Sequence, residues 1–297
     1  METSSNIKTF SFGTKDDGNG RTITIKELLD PSYGCYVWPS AFVLAEYIWY
    51  KRRGFQGKVI VELGAGTSLP GLLCTSLSPT NHTVLTDRSN FLLVLQNIKD
   101  SVLLNIPFFN DTTDTVSDYN NPENEKRKSR IWVRGLTWGE FVNDEDCLPV
   151  LLNDIETLWG RKIDWLLGSD TFYDPKDFED IIGTIAYILV YHSPDAKFLT
   201  TYQERSSKRS IQYLLDKWNL ECRQISLSEL RTDLEKYTID DDTQQNQVGS
   251  NDVSDDTHIN QTKDYLESKK HHSQINPSAA YGNSIESIFL LEISLKQ

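Results

Sequence analysis

A short glycine-rich segment, residues 62–71, carries residue types that suit a ligand-binding loop. It reads ELGAGTSLPG and follows the apolar run 59–61. This pattern predicts a buried strand, a tight turn and a helix, and glycine lets a ligand approach the backbone closely. Dinucleotide sites use the spacing G-x-G-x-x-G. Here Gly71 comes two places late and Glu62 precedes Gly64 by two. The alternative is a strand–turn–helix junction that binds nothing.

An acidic residue, Asp87, ends the second predicted strand, about twenty residues after the glycines. In dinucleotide folds an acid at this place binds ribose hydroxyls, and any adenosine makes the same demand. The competing interpretation is a helix N-cap, because Asp87-Arg88-Ser89 precedes a predicted helix. We favour ribose binding because the glycine loop is also present.

Side chains of other chemistry follow the third and fourth predicted strands. Trp138 stands in the segment GLTWG, and its indole could stack on an adenine or belong to the core. Asp170 and Tyr173 stand in the segment SDTFYDP. Asp170 could attract a cationic nucleophile or orient its nitrogen, and Tyr173 could shape the pocket. The alternative is a polar turn that starts a helix at Pro175.

The elements that position these residues alternate between strand and helix. Strands are predicted at 58–63, 83–86, 131–134, 163–168, 196–201, 220–225 and 287–294, and helices at 41–53, 69–77, 91–104, 154–159, 178–191 and 207–218. This alternation predicts a mainly parallel, doubly wound α/β sheet whose carboxyl edge gathers the candidate residues. The last two strands lack a helix between them, which suggests an antiparallel edge. Residues 10–12 and 21–25 predict a β-hairpin before the sheet.

The chain is predicted to form a single domain over residues 1–297. Residues 1–35 would be an N-terminal extension that includes the hairpin. Two polar stretches, 110–129 and 240–277, lack a burial pattern and are predicted to be disordered insertions.

Composition narrows the possible partners. A net charge of −13 disfavours general nucleic-acid binding and fits a basic protein partner. No apolar stretch is long enough to span a membrane, and the first residues lack a signal-peptide core, so we expect an intracellular protein. Neither the five histidines nor the four cysteines show metal-ligand spacing, so no metal is expected.

Four segments in one order carry a family resemblance: YVWPSA (36–41), ELGAG (62–66), LTWG (136–139) and DTFY (170–173). Together they resemble the methyltransferase-like proteins of methyltransferase family sixteen. These are class I, Rossmann-like enzymes that use S-adenosylmethionine (SAM), and many of them methylate protein lysines. The resemblance covers nearly all of residues 30–235 and the last strand. Further segments, within 172–181 and 201–206, resemble members described as histone-arginine methyltransferases.

The resemblance implies a seven-strand sheet with helices on both faces and SAM as the cofactor. It places SAM contacts on Trp38, Gly64, Ala65, Gly66, Asp87, Trp138 and Ser169, and the catalytic D-x-x-Y motif on Asp170 and Tyr173. Glu62 is included with the cofactor residues, either fixing the loop or meeting the positive end of SAM. The implied substrate is a basic protein, a histone tail or a chaperone, modified on a side-chain nitrogen in the nucleus or cytoplasm.

Other functions remain open from the sequence. Dedicated arginine methyltransferases grip guanidinium with two glutamates on a loop, and no such pair is evident here, so lysine methylation is the alternative. A second is a non-catalytic SAM-binding module, against which the presence of both Asp170 and Tyr173 weighs. A third is a nicotinamide oxidoreductase, against which the late Gly71 weighs.

Overall fold

A computed structural model describes residues 4–13, 20–28, 34–108, 129–142, 146–203, 210–228 and 287–296. Two strands, β1 (Ser5–Phe12) and β2 (Arg21–Leu28), form an antiparallel hairpin. The hairpin predicted at the N-terminus is therefore confirmed, with longer strands than expected. The turn at 14–19, predicted insertion 240–277 and residues 110–128 of the other insertion lie outside the described residues.

The centre of the fold is a seven-stranded sheet. Its strands are β3 (Val59–Glu62), β4 (His82–Asp87), β5 (Ile131–Gly135), β6 (Trp165–Ser169), β7 (Lys197–Gln203), β8 (Leu220–Ile225) and β9 (Ile288–Leu295). The order across the sheet is β5-β4-β3-β6-β7-β9-β8, and β9 alone runs in the direction opposite to the other six strands. The strand order reverses between β3 and β6. Open α/β sheets bind ligands in the crevice at such a switch point.

The last two strands pair antiparallel, as predicted, but β9 lies inside the sheet and β8 forms the edge. The difference follows from composition. Every residue of the β9 sequence IFLLEISL is buried or half-buried, whereas most of the β8 sequence LECRQI is exposed. A polar strand suits the edge of a sheet, where it also discourages pairing with other chains.

Six α-helices cover both faces of the sheet within the described residues. They are α1 (Pro39–Tyr50), α2 (Leu69–Leu77), α3 (Leu92–Asn105), α4 (Leu148–Trp159), α5 (Phe178–Tyr187) and α6 (Gln212–Lys217). The first three and the hairpin pack on one face, and the other three on the opposite face. Strand β3 shows why: Ile60 faces the first core, while Val59 and Val61 face the second. This confirms the expected fold class.

Several helix boundaries differ from the sequence prediction, and those of α4 and α5 have local reasons. Helix α4 begins at Leu148, not 154, with Pro149 in its first turn, where a missing N–H costs nothing. Its buried residues Leu148, Leu151 and Ile155 follow the helical spacing. Helix α5 ends at Tyr187, and the chain continues through a π-helical turn at Ile188–His192.

The hairpin is fastened to α3 by polar side chains. The amide nitrogen of Asn105 donates to the carbonyl of Thr24 at 2.6 Å, while its oxygen accepts from the Thr24 N–H at 2.9 Å. The Ser101 hydroxyl accepts from the N–H of Lys26 at 3.1 Å, and Asn97 donates to the carbonyl of Lys26 at 2.9 Å. Because these three side chains recur every four residues, they share one face of α3. That face supplies hydrogen bonds to the free edge of β2.

Candidate functional site

A cavity of about 300 Å³ opens where β3, β4, β5 and β6 end, at the switch point of the sheet. Nine of the ten predicted site residues line it: Trp38, Gly64, Ala65, Gly66, Asp87, Trp138, Ser169, Asp170 and Tyr173. They come from four separate loops and the start of α1. The structure thus brings together residues that the sequence separates by more than a hundred positions.

The glycine loop needs two of its glycines for backbone reasons. Gly64 and Gly66 have φ angles of 62° and 55°, a region that L-residues rarely adopt. A Cβ atom on Gly64 would lie 2.9 Å from Cζ2 of Trp138, which is too close. The N–H of Ala65 donates to the carbonyl of Thr86 at 2.8 Å. The loop is therefore tied to the end of β4 and leaves room for the indole.

Asp87 is a buried carboxylate that organises two loops. Its Oδ2 accepts from the N–H of Gly66 at 2.9 Å, and its Oδ1 accepts from the N–H of Arg88 at 2.8 Å. Burial raises the pKa of Asp87, and the two backbone hydrogen bonds act in the opposite direction. Helix α3 begins only at Leu92, with Phe91 at its N-cap. The N-cap interpretation of Asp87 is therefore wrong, and the carboxylate lies in the cavity wall.

Glu62 is the predicted cofactor residue that does not line the cavity. It is fully buried behind the loop, where its Oε2 accepts from the N–H of Gly71 at 3.0 Å. Its Oε1 has no hydrogen-bond partner within the described residues, and burial raises the pKa of the carboxyl to about 8. The Glu62 side chain therefore does not reach the space where a cofactor would bind. The carboxyl instead fixes the first turn of α2.

The contact between Glu62 and Gly71 also explains the late third glycine. A Cβ atom on Gly71 would lie 2.4 Å from Oε2 of Glu62 and 2.3 Å from Cδ2 of Leu85. Glycine is needed at 71 because α2 packs against β3 and β4 at that point. In this chain the third glycine of the motif therefore serves helix–strand packing.

Asp170 follows β6 in an uncommon backbone conformation. Its φ is 53°, in the left-handed region that aspartate tolerates better than most residues. Its N–H donates to the carbonyl of Thr201 at 2.8 Å, and its Oδ1 accepts a long hydrogen bond, 3.4 Å, from the N–H of Gln203. Strand β7 thus holds a strained residue at the cavity. Such strain costs about 1–3 kcal/mol and clusters at functional sites.

Tyr173 lies on the same side of the cavity as Asp170. Burial raises the pKa of its phenol, and the neighbouring Arg88 guanidinium acts in the opposite direction. Asp174 does not line the cavity. Its side chain accepts from the N–H of Lys176 at 3.1 Å and caps the short turn Pro175–Asp177. The polar-turn interpretation is therefore correct for Asp174, while Asp170 and Tyr173 reach the cavity.

Sequence reasoning missed several residues of the cavity wall, among them Tyr36, Arg88 and Phe91. The ring of Tyr36 packs 4.7 Å from that of Trp38. The guanidinium carbon of Arg88 lies 5.6 Å from the ring centroids of both Phe91 and Trp138. A usable signal existed for Arg88, because it directly follows the candidate ribose acid.

The side chains that line the cavity suit a nucleoside that carries a positive charge. The aromatic rings of Phe91 and Trp138 line this space, and so do two buried carboxylates, Asp87 and Asp170. The indole nitrogen of Trp138 is buried without a partner within the described residues. Gly64 lines the same space, and its missing Cβ lets the Trp138 indole pack close to the loop backbone. These features match the adenosine and the cationic end of SAM.

A membrane span and a metal site are both absent from the described part of the chain. No helix there is long and apolar enough to cross a membrane. No group of three or more histidine, cysteine, aspartate or glutamate side chains in those residues is placed to hold a metal ion.

Comparison with known proteins agrees with this geometry. A family profile described as lysine methyltransferase matches residues 17–216. The histone-arginine methyltransferase METTL23 of Xenopus laevis is 38% identical over 221 residues, which cover 74% of this chain and 79% of that protein. Human METTL23 is 36% identical over 200 residues, which cover 67% and 86%. The protein N-terminal and lysine N-methyltransferase EFM7 of Cryptococcus neoformans is 28% identical over 163 residues, 55% of this chain and 46% of that protein. The chain belongs to the lysine methyltransferase family, which confirms the resemblance noted in its sequence.

Proposed function

We propose that this protein transfers a methyl group from SAM to an arginine side chain of a histone. The observation that carries this proposal is the placement of Asp170, a strained and buried carboxylate, in the same cavity as the glycine loop and Asp87. The identity to METTL23 proteins over most of the chain supports arginine as the target.

The cofactor would be held by the elements that end at the switch point. The backbone of residues 64–66 and the carboxylate of Asp87 are already joined by a hydrogen bond, so a ribose would meet a preformed acceptor. Trp138 supplies a ring face for the adenine, and Trp38 and Ser169 line the same cavity. When bound, SAM would supply an electrophilic methyl group whose C–S bond breaks to leave a neutral thioether.

The chain's own residues would place and deprotonate the acceptor nitrogen. Guanidinium has a very high pKa, so its proton must leave as the new N–C bond forms. The Asp170 carboxylate can attract the cation, orient its nitrogen and accept that proton, while Tyr173 can hydrogen-bond to the substrate. Because strand β7 fixes the backbone of Asp170, the carboxylate needs little reorganisation to do this.

The charge of the surroundings fits a basic substrate. The segment after Tyr173 contains Asp174 and Asp180, besides Asp177 and Glu179, whose charges are paired with Arg88 and Lys217. The whole chain carries a net charge of −13. Such a surface would attract a Lys/Arg-rich histone tail and speed its encounter with the cavity.

Lysine methylation is the second candidate. The family profile is described as lysine methyltransferase, and no glutamate lines the cavity within the described residues. Asp87 and Asp170 are its carboxylates, and we assign the first of them to the ribose. A single carboxylate is enough to orient an amine, whereas it meets only one edge of a planar guanidinium, through two parallel hydrogen bonds.

The test is to incubate the full chain with methyl-labelled SAM and purified core histones. Mass spectrometry of the labelled peptides then identifies the modified atom. We expect methylarginine with the wild-type protein and no label with Gly64→Arg. Methyllysine alone would support the second candidate and contradict the first. Absence of label on every histone would contradict histones as the substrate.

A further inference from the structure

The cavity is bridged by an ion pair between two of its loops. Arg88, directly after Asp87, pairs through its guanidinium with the carboxylate of Asp177. The two side chains are 29% and 20% exposed, so the pair is sheltered from solvent. Arg88 lines the cavity and Asp177 lies outside its lining.

The two partners belong to opposite sides of the site. Arg88 follows β4, on the side of the glycine loop and the candidate ribose acid. Asp177 ends the short turn Pro175–Asp177, which follows Tyr173 and leads into α5. The charges of both Arg88 and Asp177 act on the Tyr173 phenol, so all three groups are neighbours.

Aromatic contacts hold the guanidinium in this position. It lies 5.6 Å from the ring of Phe91 and 5.6 Å from that of Trp138. A cation over an aromatic face is attracted by the ring, more so when it is partly desolvated. Arg88 therefore contacts Trp138, the ring that we assign to adenine binding. Its ion pair with Asp177 also links it to the turn Pro175–Asp177, which follows the D-x-x-Y motif.

We propose that Arg88 is a positioning residue, and that its ion pair with Asp177 fastens residues 173–177 over the cavity. This inference rests on the proposed function. With the pair intact, Tyr173 is held toward Asp170, and the bound cofactor leaves slowly. With the pair broken, the segment after Tyr173 loses its link to the β4 loop.

If the ion pair acts in this way, a change at Asp177 should alter cofactor release, although Asp177 does not contact the cavity. Because Asp177 does not line the cavity, Asp177→Asn can change cofactor release only through Arg88 or the Tyr173 segment. We expect Asp177→Asn and Arg88→Met each to speed SAM dissociation about three- to tenfold, with Arg88→Met at the upper end. The double variant should be no faster than Arg88→Met, because both changes remove one interaction. Arg88→Lys keeps the charge but not the planar group, and should fall between.

The experiment is stopped-flow measurement of SAM dissociation from these variants, together with kcat and KM for methyl transfer. The matched control is the exposed pair of Lys217 with Glu179, at 54% and 57% exposure, on the same side of the fold. Lys217→Met and Glu179→Gln should leave dissociation unchanged. Thermal unfolding checks that all variants are folded.

The outcomes separate the two claims. Faster dissociation in both single variants, no further change in the double, and a lower kcat with similar KM would support the positioning role. Unchanged dissociation in Asp177→Asn, or additive effects in the double variant, would overturn it while leaving the methyltransferase assignment intact. A wild-type protein that does not bind SAM would overturn both.

Discussion

The backbone N–H of Gly66 donates a 2.9 Å hydrogen bond to the carboxylate of Asp87, joining the glycine loop to the end of β4. The second carboxylate oxygen accepts from the N–H of Arg88 at 2.8 Å. Both oxygens are thus fixed, with lone pairs left for a ligand, in a residue only 8% exposed. The cavity is organised by this one carboxylate before any cofactor arrives.

Replacement of that carboxylate should weaken SAM binding. In Asp87→Asn an NH₂ group must face one of the two backbone N–H donors, so the loop loses a hydrogen bond and the ribose loses an acceptor. We expect a ten- to hundredfold weaker affinity by calorimetry, from about 1.5–3 kcal/mol per charge-assisted hydrogen bond. The control is Asp100→Asn, which removes a surface ion pair with Lys26 far along α3. Equal losses in both variants would contradict the role of Asp87.

A methyl group at Gly64 should cost more than the same group at another left-handed glycine. Gly64 and Gly160 have φ angles of 62° and 64°, so Ala at either place costs about 1–2 kcal/mol in backbone strain. The new Cβ at 160 meets open space, whereas at 64 it would lie 2.9 Å from Trp138. We expect Gly64→Ala to lose a further 1–3 kcal/mol or so in urea unfolding, and to weaken SAM binding. Equal destabilisation of the two variants would show that the Trp138 contact yields easily.

The buried carboxyl of Glu62 should make the stability of the fold depend on pH. Burial raises its pKa from an ordinary 4.5 to about 8. Between these values the folded protein keeps a proton that the unfolded chain releases, so stability falls as the pH rises through that window. Glu62→Gln cannot ionise and escapes the penalty.

The measurement for Glu62 is the free energy of unfolding of both proteins at pH 5 and pH 8. The advantage of Glu62→Gln should be larger at pH 8 by more than about 1 kcal/mol. Burial also raises the pKa of Asp87, but that contribution is common to both proteins and largely cancels. A difference that stays constant with pH would show that the Glu62 carboxyl titrates normally.

Removal of the Asp170 charge should separate transfer from cofactor binding. Asp170→Asn preserves the side-chain shape, and asparagine tolerates the left-handed φ of 53° as aspartate does. We expect a loss of about a hundredfold or more in single-turnover transfer, with SAM affinity changed less than threefold. Asp170→Gly relieves the backbone strain as well, so it should be equally inactive but at least as stable. Wild-type transfer by either variant would remove Asp170 from the proposed chemistry.

Much of the fold could be predicted because its signals are local. The apolar runs of β3 and β6 end in small residues, and α2 was placed at residues 69–77, where the structure has it. The sequence does not mark the start of α4 at Leu148 and Pro149, because a polar stretch precedes them. The helical spacing of the apolar residues becomes clear only further along the helix. The interior position of β9 depends on pairing with β7 and β8, which no local pattern encodes.

The candidate site was predicted where residue type and strand end coincide. Asp87, Trp138 and Asp170 each follow a strand, and parallel strands place their ends together. Arg88 and Phe91 were missed because their role depends on contacts across the cavity. Glu62 was placed among the cofactor residues from its motif, yet its side chain points toward Gly71, since a buried carboxyl takes the nearest free N–H.

The central claim is that the cavity between the glycine loop and Asp170 binds SAM. Its most direct test is calorimetric titration of the wild-type protein and Gly64→Arg with SAM and, separately, with NAD. We predict that SAM binds the wild type at one site, that NAD does not bind, and that Gly64→Arg binds neither because its side chain fills the space beside Trp138. Tight NAD binding without SAM binding, or unchanged SAM affinity in Gly64→Arg, would contradict the claim.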